Sequence, residues 1–100
     1  MIEYKIKLTN QFIGELDRIY NYIYFSLNSP ITANKLYYKI KNSILNLNFY
    51  PERFPILNNT KTLRKLLINN YIIIYKINNK TNDVFILHIF HGNQNYLNKL

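Results

Sequence analysis

The stretch that most restricts the fold is residues 71–77, YIIIYKI, which is apolar at almost every position. Successive side chains of a β-strand point to opposite faces of its sheet, so this strand has two apolar faces and both have to be covered, or nearly so. Residues 62–68 before it and 83–91 after it are also typical of strands, and Asn69–Asn70 can occupy the positive-φ positions of a hairpin turn. The C-terminal half therefore predicts three successive strands with residues 71–77 in the centre.

The N-terminal half begins with one more strand and then changes periodicity. Residues 2–8 alternate apolar and polar side chains, and Thr9 or Asn10 can cap a following helix. Ser29 as N-cap and Pro30 at the first helical position begin a second helix after a short turn, so the two helices should form an antiparallel hairpin. The apolar stripes recur at helical spacing: Phe12, Leu16, Ile19, Ile23 and Leu27 in the first helix, and Ala33, Leu36 or Tyr37, Ile40, Ile44 and Leu47 in the second.

These elements predict one α+β domain over residues 1–100, in the order β-α-α-β-β-β. The helical hairpin should pack on one face of a small, twisted, mainly antiparallel sheet. Tyr22 and Phe25 fall on the face of the first helix that points away from its apolar stripe, which indicates a partner surface.

Charge indicates the chemistry of that partner. The chain has 13 Lys and Arg residues against 5 Asp and Glu, a net charge of +8. Such a field favours nucleic acid or an acidic protein segment. The sequence contains no Cys, which excludes a disulfide framework and thiolate metal ligands, and no apolar run approaches the roughly 18 residues of a membrane span. With no apolar leader at the N-terminus, we expect a cytoplasmic protein without metal, cofactor or membrane contact.

The two histidines, His88 and His91, are the first catalytic candidates. Alternation along the last strand places His88 with Val84, Ile86 and Phe90, and His91 on the opposite face with Phe85, Leu87 and Ile89. They are therefore not expected to share a substrate atom or a metal. A more coherent set is basic: Arg53, Lys61, Arg64 and Lys65 lie in the loop after the helices and in the next strand, and are candidates to bind a target or nucleic acid.

The order of these features resembles the RelE/ParE superfamily of toxins from bacterial type II toxin–antitoxin modules, of the plasmid-stabilisation type. The similarity lies in LNFYPERFPIL after the helical hairpin, Arg64 at the start of the second strand, Tyr71 and Tyr75 in the third, and ILHIFHG in the last. The resemblance implies a small basic toxin neutralised by a co-expressed acidic antitoxin, for which Tyr22 and Phe25 are the candidate contacts. It also implies one of two activities: RelE-like members cut mRNA on the ribosome without a metal, and ParE-like members inhibit DNA gyrase.

Two departures favour the ParE-like branch. RelE-like nucleases have Arg directly after the first Tyr of the third strand, where this chain has Ile72, and Arg, His or Tyr just past the last strand, where it has Asn93, Gln94 and Asn95. Cleavage without a metal needs charged groups to offset charge developing on the phosphate, and Ile, Asn and Gln supply none. We expect a toxin that binds a target such as gyrase. The alternatives are a ribosome-dependent RNase and a degenerate toxin that only binds its antitoxin; the remaining catalytic candidates are Arg64, Lys65, His88, His91 and Tyr96.

Overall fold

The computed structural model describes residues 1–58 and 60–92, and its elements follow the predicted order β-α-α-β-β-β. The strands are β1 (Lys5–Leu8), β2 (Leu63–Ile68), β3 (Tyr71–Asn78) and β4 (Asp83–His91), and the helices are α1 (Asn10–Asn21) and α2 (Pro30–Leu45). A π-helical turn, Tyr22–Ser26, continues α1, and two 3₁₀ turns, Asn46–Asn48 and Pro51–Arg53, follow α2.

The four strands form one mixed sheet in the order β1-β4-β3-β2. The pairs β2–β3 and β3–β4 are antiparallel, and β1 runs parallel to β4. β1 begins at Lys5 and not at Ile2 as predicted, because the N–H of Tyr4 donates to the carbonyl of Asn48 (2.7 Å), which follows α2. The mainly antiparallel sheet is confirmed, with its one parallel pair at the β1 edge.

The helical hairpin covers one face of this sheet, as predicted. Thr9 caps α1: its Oγ1 accepts the N–H of Phe12 and donates to the carbonyl of Ile86 (2.8 Å), which ties the start of the helix to β4. Ser29 occupies the N-cap position of α2, but its hydroxyl donates to the carbonyl of Leu27 and makes no cap. The main cluster includes the buried residues Phe12, Ile23, Ala33, Leu36, Ile40, Ile44, Leu47, Leu66, Ile68, Ile73, Tyr75, Val84, Ile86 and Ile89.

The opposite face of the sheet has a smaller apolar cluster. Ile72 and Ile74 of β3 and Phe90 of β4 are buried there against Leu57 of the loop, with Leu63 beside them. The N–H of Leu57 donates to the carbonyl of Leu63 (2.7 Å), so the loop is held along β2. Coverage of β3 on both faces is thus confirmed, by helices on one side and a loop on the other.

Left-handed backbone conformations occur at four non-glycine residues of the described chain. Three are asparagines in turns, Asn28, Asn69 and Asn82, a residue type that tolerates positive φ. Of the Asn69–Asn70 pair predicted to have positive φ, only Asn69 does, at 52°. The fourth residue is Tyr50, with φ 51°.

Tyr75 links the sheet to the loop that follows α2. It is fully buried, and its hydroxyl donates to the carbonyl of Pro51 (2.6 Å). Burial raises the pKa of Tyr75 to about 12, against the lowering effect of Arg64 and Arg53. The folded state therefore keeps this phenol protonated and donating.

Replacing Tyr75 by Phe should lower the free energy of unfolding by about 1–2 kcal/mol, because a buried carbonyl loses its donor. Since the pKa is raised on folding, the stabilisation is present below pH 10 and lost as the pH rises from 10 towards 12, and the variant should show a shallower alkaline fall. Urea unfolding at pH 7 to 11.5 measures both effects. Tyr20→Phe is the control, since that hydroxyl donates to Asn34 at an exposed site; equal slopes for Tyr75→Phe and the wild type would refute the assignment.

Candidate functional site

The end of the helical hairpin exposes a group of large apolar side chains. Tyr22 and Phe25, the predicted partner contacts, are 51% and 71% exposed, and Leu27 is 54% exposed. We call these three residues the hairpin end. The prediction that Leu27 belongs to the core stripe is wrong.

The π-helical turn explains this exposure. The N–H of Leu27 donates to the carbonyl of Tyr22 (3.0 Å), five residues earlier, where an α-helix would use four. The extra residue rotates the following side chains around the helix axis, which carries Leu27 away from the stripe that Phe12 and Ile23 continue. Turns of this type are frequent at functional sites because they break helical periodicity and re-aim side chains.

Contacting aromatic rings extend from the hairpin end across both helices. Phe25 packs against Tyr24 with ring centroids 4.6 Å apart, Tyr24 contacts Tyr20 (5.7 Å), and Tyr20 contacts Tyr37 (6.0 Å), which packs on Tyr38 (5.6 Å). Rings in such contact hold one another in place. The exposed aromatic surface therefore has a fixed shape before any partner binds.

A groove of about 830 Å³ opens between the hairpin end and the ends of β3 and β4. Its lining includes Tyr22 and Leu27 on one side, Tyr71 and His91 on the other, and Arg18. The rings of Tyr71 and His91 meet edge to face at 5.3 Å, and burial raises the pKa of Tyr71. The groove thus joins a predicted partner contact, Tyr22, to a predicted catalytic candidate, His91.

A bulge in β4 changes the faces on which its side chains lie. Ile74 pairs with His88 and Tyr75 pairs with Ile86, so Leu87 has no partner in the register. Ile89 therefore lies in the main cluster with Ile86, whereas His88 stacks on Phe90 (5.0 Å) on the other face. His91 contacts Tyr71 on the helix side. The separation of the two histidines is confirmed. The predicted grouping of His88 and Phe90 with Val84 and Ile86, and of Ile89 on the opposite face, is wrong, because alternation fails at a bulge.

His88 is held by Glu15 of α1. Its Nδ1 lies 3.3 Å from Glu15 Oε2, and Glu15 Oε1 accepts the backbone N–H of Ile89 (3.1 Å). β1 pairs with β4 only as far as Ile86, so the Glu15 carboxylate takes the place of a strand partner at Ile89. This carboxylate was not predicted as a site residue, since nothing in the sequence joins residues 15 and 88.

The two arginines predicted to bind a target or nucleic acid donate to backbone carbonyls. The guanidinium of Arg53 donates to the carbonyls of Asn46 (3.0 Å), Phe49 (2.6 Å) and Tyr50 (3.1 Å). Arg64 Nη1 donates to the carbonyls of Glu52 (2.9 Å) and Phe54 (2.6 Å). We call residues 49–54, which these side chains hold, the arginine loop.

The two lysines of the same predicted set occupy other positions. Lys61 is exposed in the loop before β2. Lys65 follows Arg64 in β2, so its side chain lies on the opposite face of the sheet, in a cross-strand row with Ile74 and His88. The set is therefore divided between the arginine loop, an exposed loop and the far face of the sheet.

The position after Tyr71 is buried and apolar. Ile72 is 8% exposed and packs in the smaller cluster with Leu57, Ile74 and Phe90. Gln94 and the candidate Tyr96, with Asn93 and Asn95, lie outside the described residues. Within residues 1–58 and 60–92, no three His, Asp or Glu side chains are placed to hold a metal ion, and no helix there is long and apolar enough to cross a membrane.

Comparison with known proteins relates this arrangement to one group. Residues 6–96 match the sequence model of the ParE toxin of type II toxin–antitoxin systems, parDE. No curated protein matches the sequence.

Solved structures share the fold at low sequence identity. The chromosomal ParDE toxin–antitoxin system of P. aeruginosa has a chain with a TM-score of 0.73 and 18% identity, covering 89% of this chain and 96% of its own. The RelBE2 toxin–antitoxin complex of Mycobacterium tuberculosis has one with a TM-score of 0.64 and 17% identity, covering 91% and 93%. A mutant E. coli RelE toxin in the free state gives a TM-score of 0.71 at 11% identity, covering 98% and 93%.

Proposed function

Because the chain belongs to the ParE toxin family of type II toxin–antitoxin systems, we propose that it inhibits growth by binding a protein target in the cytoplasm, with DNA gyrase as the first target to test. An acidic antitoxin neutralises it. The observation that carries this proposal is Ile72: the position where RelE-like nucleases have Arg is a buried member of an apolar cluster. A charged group placed there would lose its hydration without gaining a partner.

The contacts of the remaining cations support the same reading. Arg53 and Arg64 together donate five hydrogen bonds to backbone carbonyls. Lys65 lies on the opposite face of the sheet from Arg64. Cleavage of RNA without a metal needs several charged donors converging on one phosphate. Arg53 and Arg64 are engaged with the carbonyls of one loop, and Lys65 is on the far face of the sheet, which argues against such a cluster.

The hairpin end and the net charge support the antitoxin as partner. Tyr22, Phe25 and Leu27 offer exposed apolar area beside the groove, and the charge of +8 attracts an acidic chain. Similar chains have been solved as parts of ParDE and RelBE toxin–antitoxin systems. The acidic protein encoded next to the toxin gene is therefore the partner to test.

The test compares two purified systems. Added to gyrase, the protein should inhibit DNA supercoiling at a small molar excess, and the neighbouring acidic protein should reverse the inhibition. Added to ribosomes programmed with mRNA, it should leave the message intact. Unchanged supercoiling together with mRNA cleavage that Arg64→Ala or His91→Ala abolishes would replace this proposal with the RNase.

A further inference from the structure

Tyr50 has a backbone conformation that does not suit a tyrosine. Its φ and ψ are 51° and 53°, in the left-handed region, where Cβ crowds the neighbouring peptide. At the three other such positions in the described chain the residue is Asn, which adopts this conformation at lower cost. A strained residue of this kind persists where the surrounding structure over-determines it, and such residues cluster at functional sites.

The arginine loop supplies that over-determination. Arg53 donates to three carbonyls between Asn46 and Tyr50, Arg64 donates to those of Glu52 and Phe54, and the buried Tyr75 donates to that of Pro51. Six side-chain contacts thus fix a loop of six residues and the start of the preceding 3₁₀ turn. The loop is ordered before any partner arrives, which removes part of the entropic cost of binding.

The Tyr50 ring points outward from this fixed loop. Tyr50 is 59% exposed, and its side chain makes no hydrogen bond and no ring contact with the described residues. An exposed tyrosine on a fixed backbone is the type of side chain that often dominates a protein interface, because it brings a large contact area with few rotatable bonds. The arginine loop therefore fixes the backbone from which an unused contact group projects.

We propose that the arginine loop is the surface through which this toxin recognises its target, with Tyr50 as the anchoring side chain. The inference rests on the proposed function and adds the place of contact. The partner surface is a protein with an apolar pocket for the ring, bordered by carboxylates, because Arg53 and Arg64 bring two positive charges to the loop and Glu52 is its one acid.

The experiment uses three variants of the full chain in the gyrase supercoiling assay. Tyr50→Asn removes the ring and relieves the strain, Tyr50→Phe keeps both the ring and the strain, and Tyr38→Asn makes the same exchange at a tyrosine of equal exposure, 58%, on α2. The concentration for half inhibition should rise about 10-fold or more for Tyr50→Asn and change less than about 3-fold for the other two. The Tm of Tyr50→Asn should equal or exceed that of the wild type.

The outcomes distinguish failure of the loop assignment from failure of the proposed function. Full inhibition by Tyr50→Asn alongside the wild type would overturn the loop assignment and leave the proposed function standing. No inhibition by the wild type would overturn both. A fall in Tm of Tyr50→Asn that matches its loss of inhibition would show that Tyr50 acts on the fold, which overturns its role as anchor. Loss of mRNA cleavage in that variant, with supercoiling untouched in all, would assign the loop to nucleic acid instead.

Discussion

Replacing Tyr22 and Phe25 together by Ala is expected to weaken binding of the cognate acidic antitoxin by about 100-fold or more. Both side chains are mostly exposed and lie in the π-helical turn, and Phe25 also packs on the ring of Tyr24, so their apolar area is available to a partner without rearrangement. Exposed aromatic anchors of this kind each contribute about 2 kcal/mol or more when a partner buries them. Isothermal titration of the purified toxin with the antitoxin measures the change.

Two controls separate a loss of binding from a loss of stability in the double variant. Its Tm should stay within a few degrees of the wild type, because neither ring belongs to the main cluster. Leu67→Ala, at an exposed apolar side chain on β2 away from the aromatic surface, is the control and should change affinity less than about 3-fold. An affinity of the double variant within 3-fold of the wild type would place the antitoxin elsewhere on the surface.

Replacing Glu15 by Ala should lower the free energy of unfolding by about 2–3 kcal/mol. The backbone N–H of Ile89, a residue 2% exposed, would lose its charged acceptor at a part of β4 that β1 does not reach, and His88 would lose its partner. For a domain of this size such a loss corresponds to a fall in Tm of about 10 °C or more. Thermal unfolding followed by circular dichroism measures it.

Glu15→Gln separates the hydrogen bond from the charge. The amide oxygen can still accept the N–H of Ile89, so the cost should stay below about 1 kcal/mol. Hydrogen exchange of the Ile89 amide should be fast in Glu15→Ala and slow in Glu15→Gln. If the alanine variant kept both its Tm and its protection at Ile89, the carboxylate would not be closing this edge of the sheet.

The sequence was sufficient for features that depend on local pattern. The spacing of Ala33, Ile40 and Ile44 predicted the buried face of α2, and the double apolar face of residues 71–77 predicted a strand covered on both sides. Each of these follows from a fixed helical or strand period, which side chains a few residues apart reveal.

The features that shape the candidate site depend on breaks in those periods or on distant pairs. The π turn re-aimed Leu27, and the bulge at Leu87 moved Ile89 to the helix side; one extra residue leaves no mark in composition. Glu15 and His88 are 73 positions apart, and the carbonyl acceptors of Arg53 and Arg64 are backbone atoms that every residue has. The positive charge of Arg53 and Arg64 therefore predicted an anionic ligand, whereas the hydrogen bonds described for both side chains are made to backbone carbonyls of the same chain.

The pairing of β1 with β4 also determines when the sheet can close. Lys5 lies opposite Asp83, so β1 can enter the sheet only after β4 has been synthesised. In the folded chain β4 pairs with β3 on one side and β1 on the other, and Glu15 and Thr9 also bond to it. Contacts that span nearly the whole chain form late and slowly. A nascent chain that stops short of residue 83 therefore lacks the closed sheet.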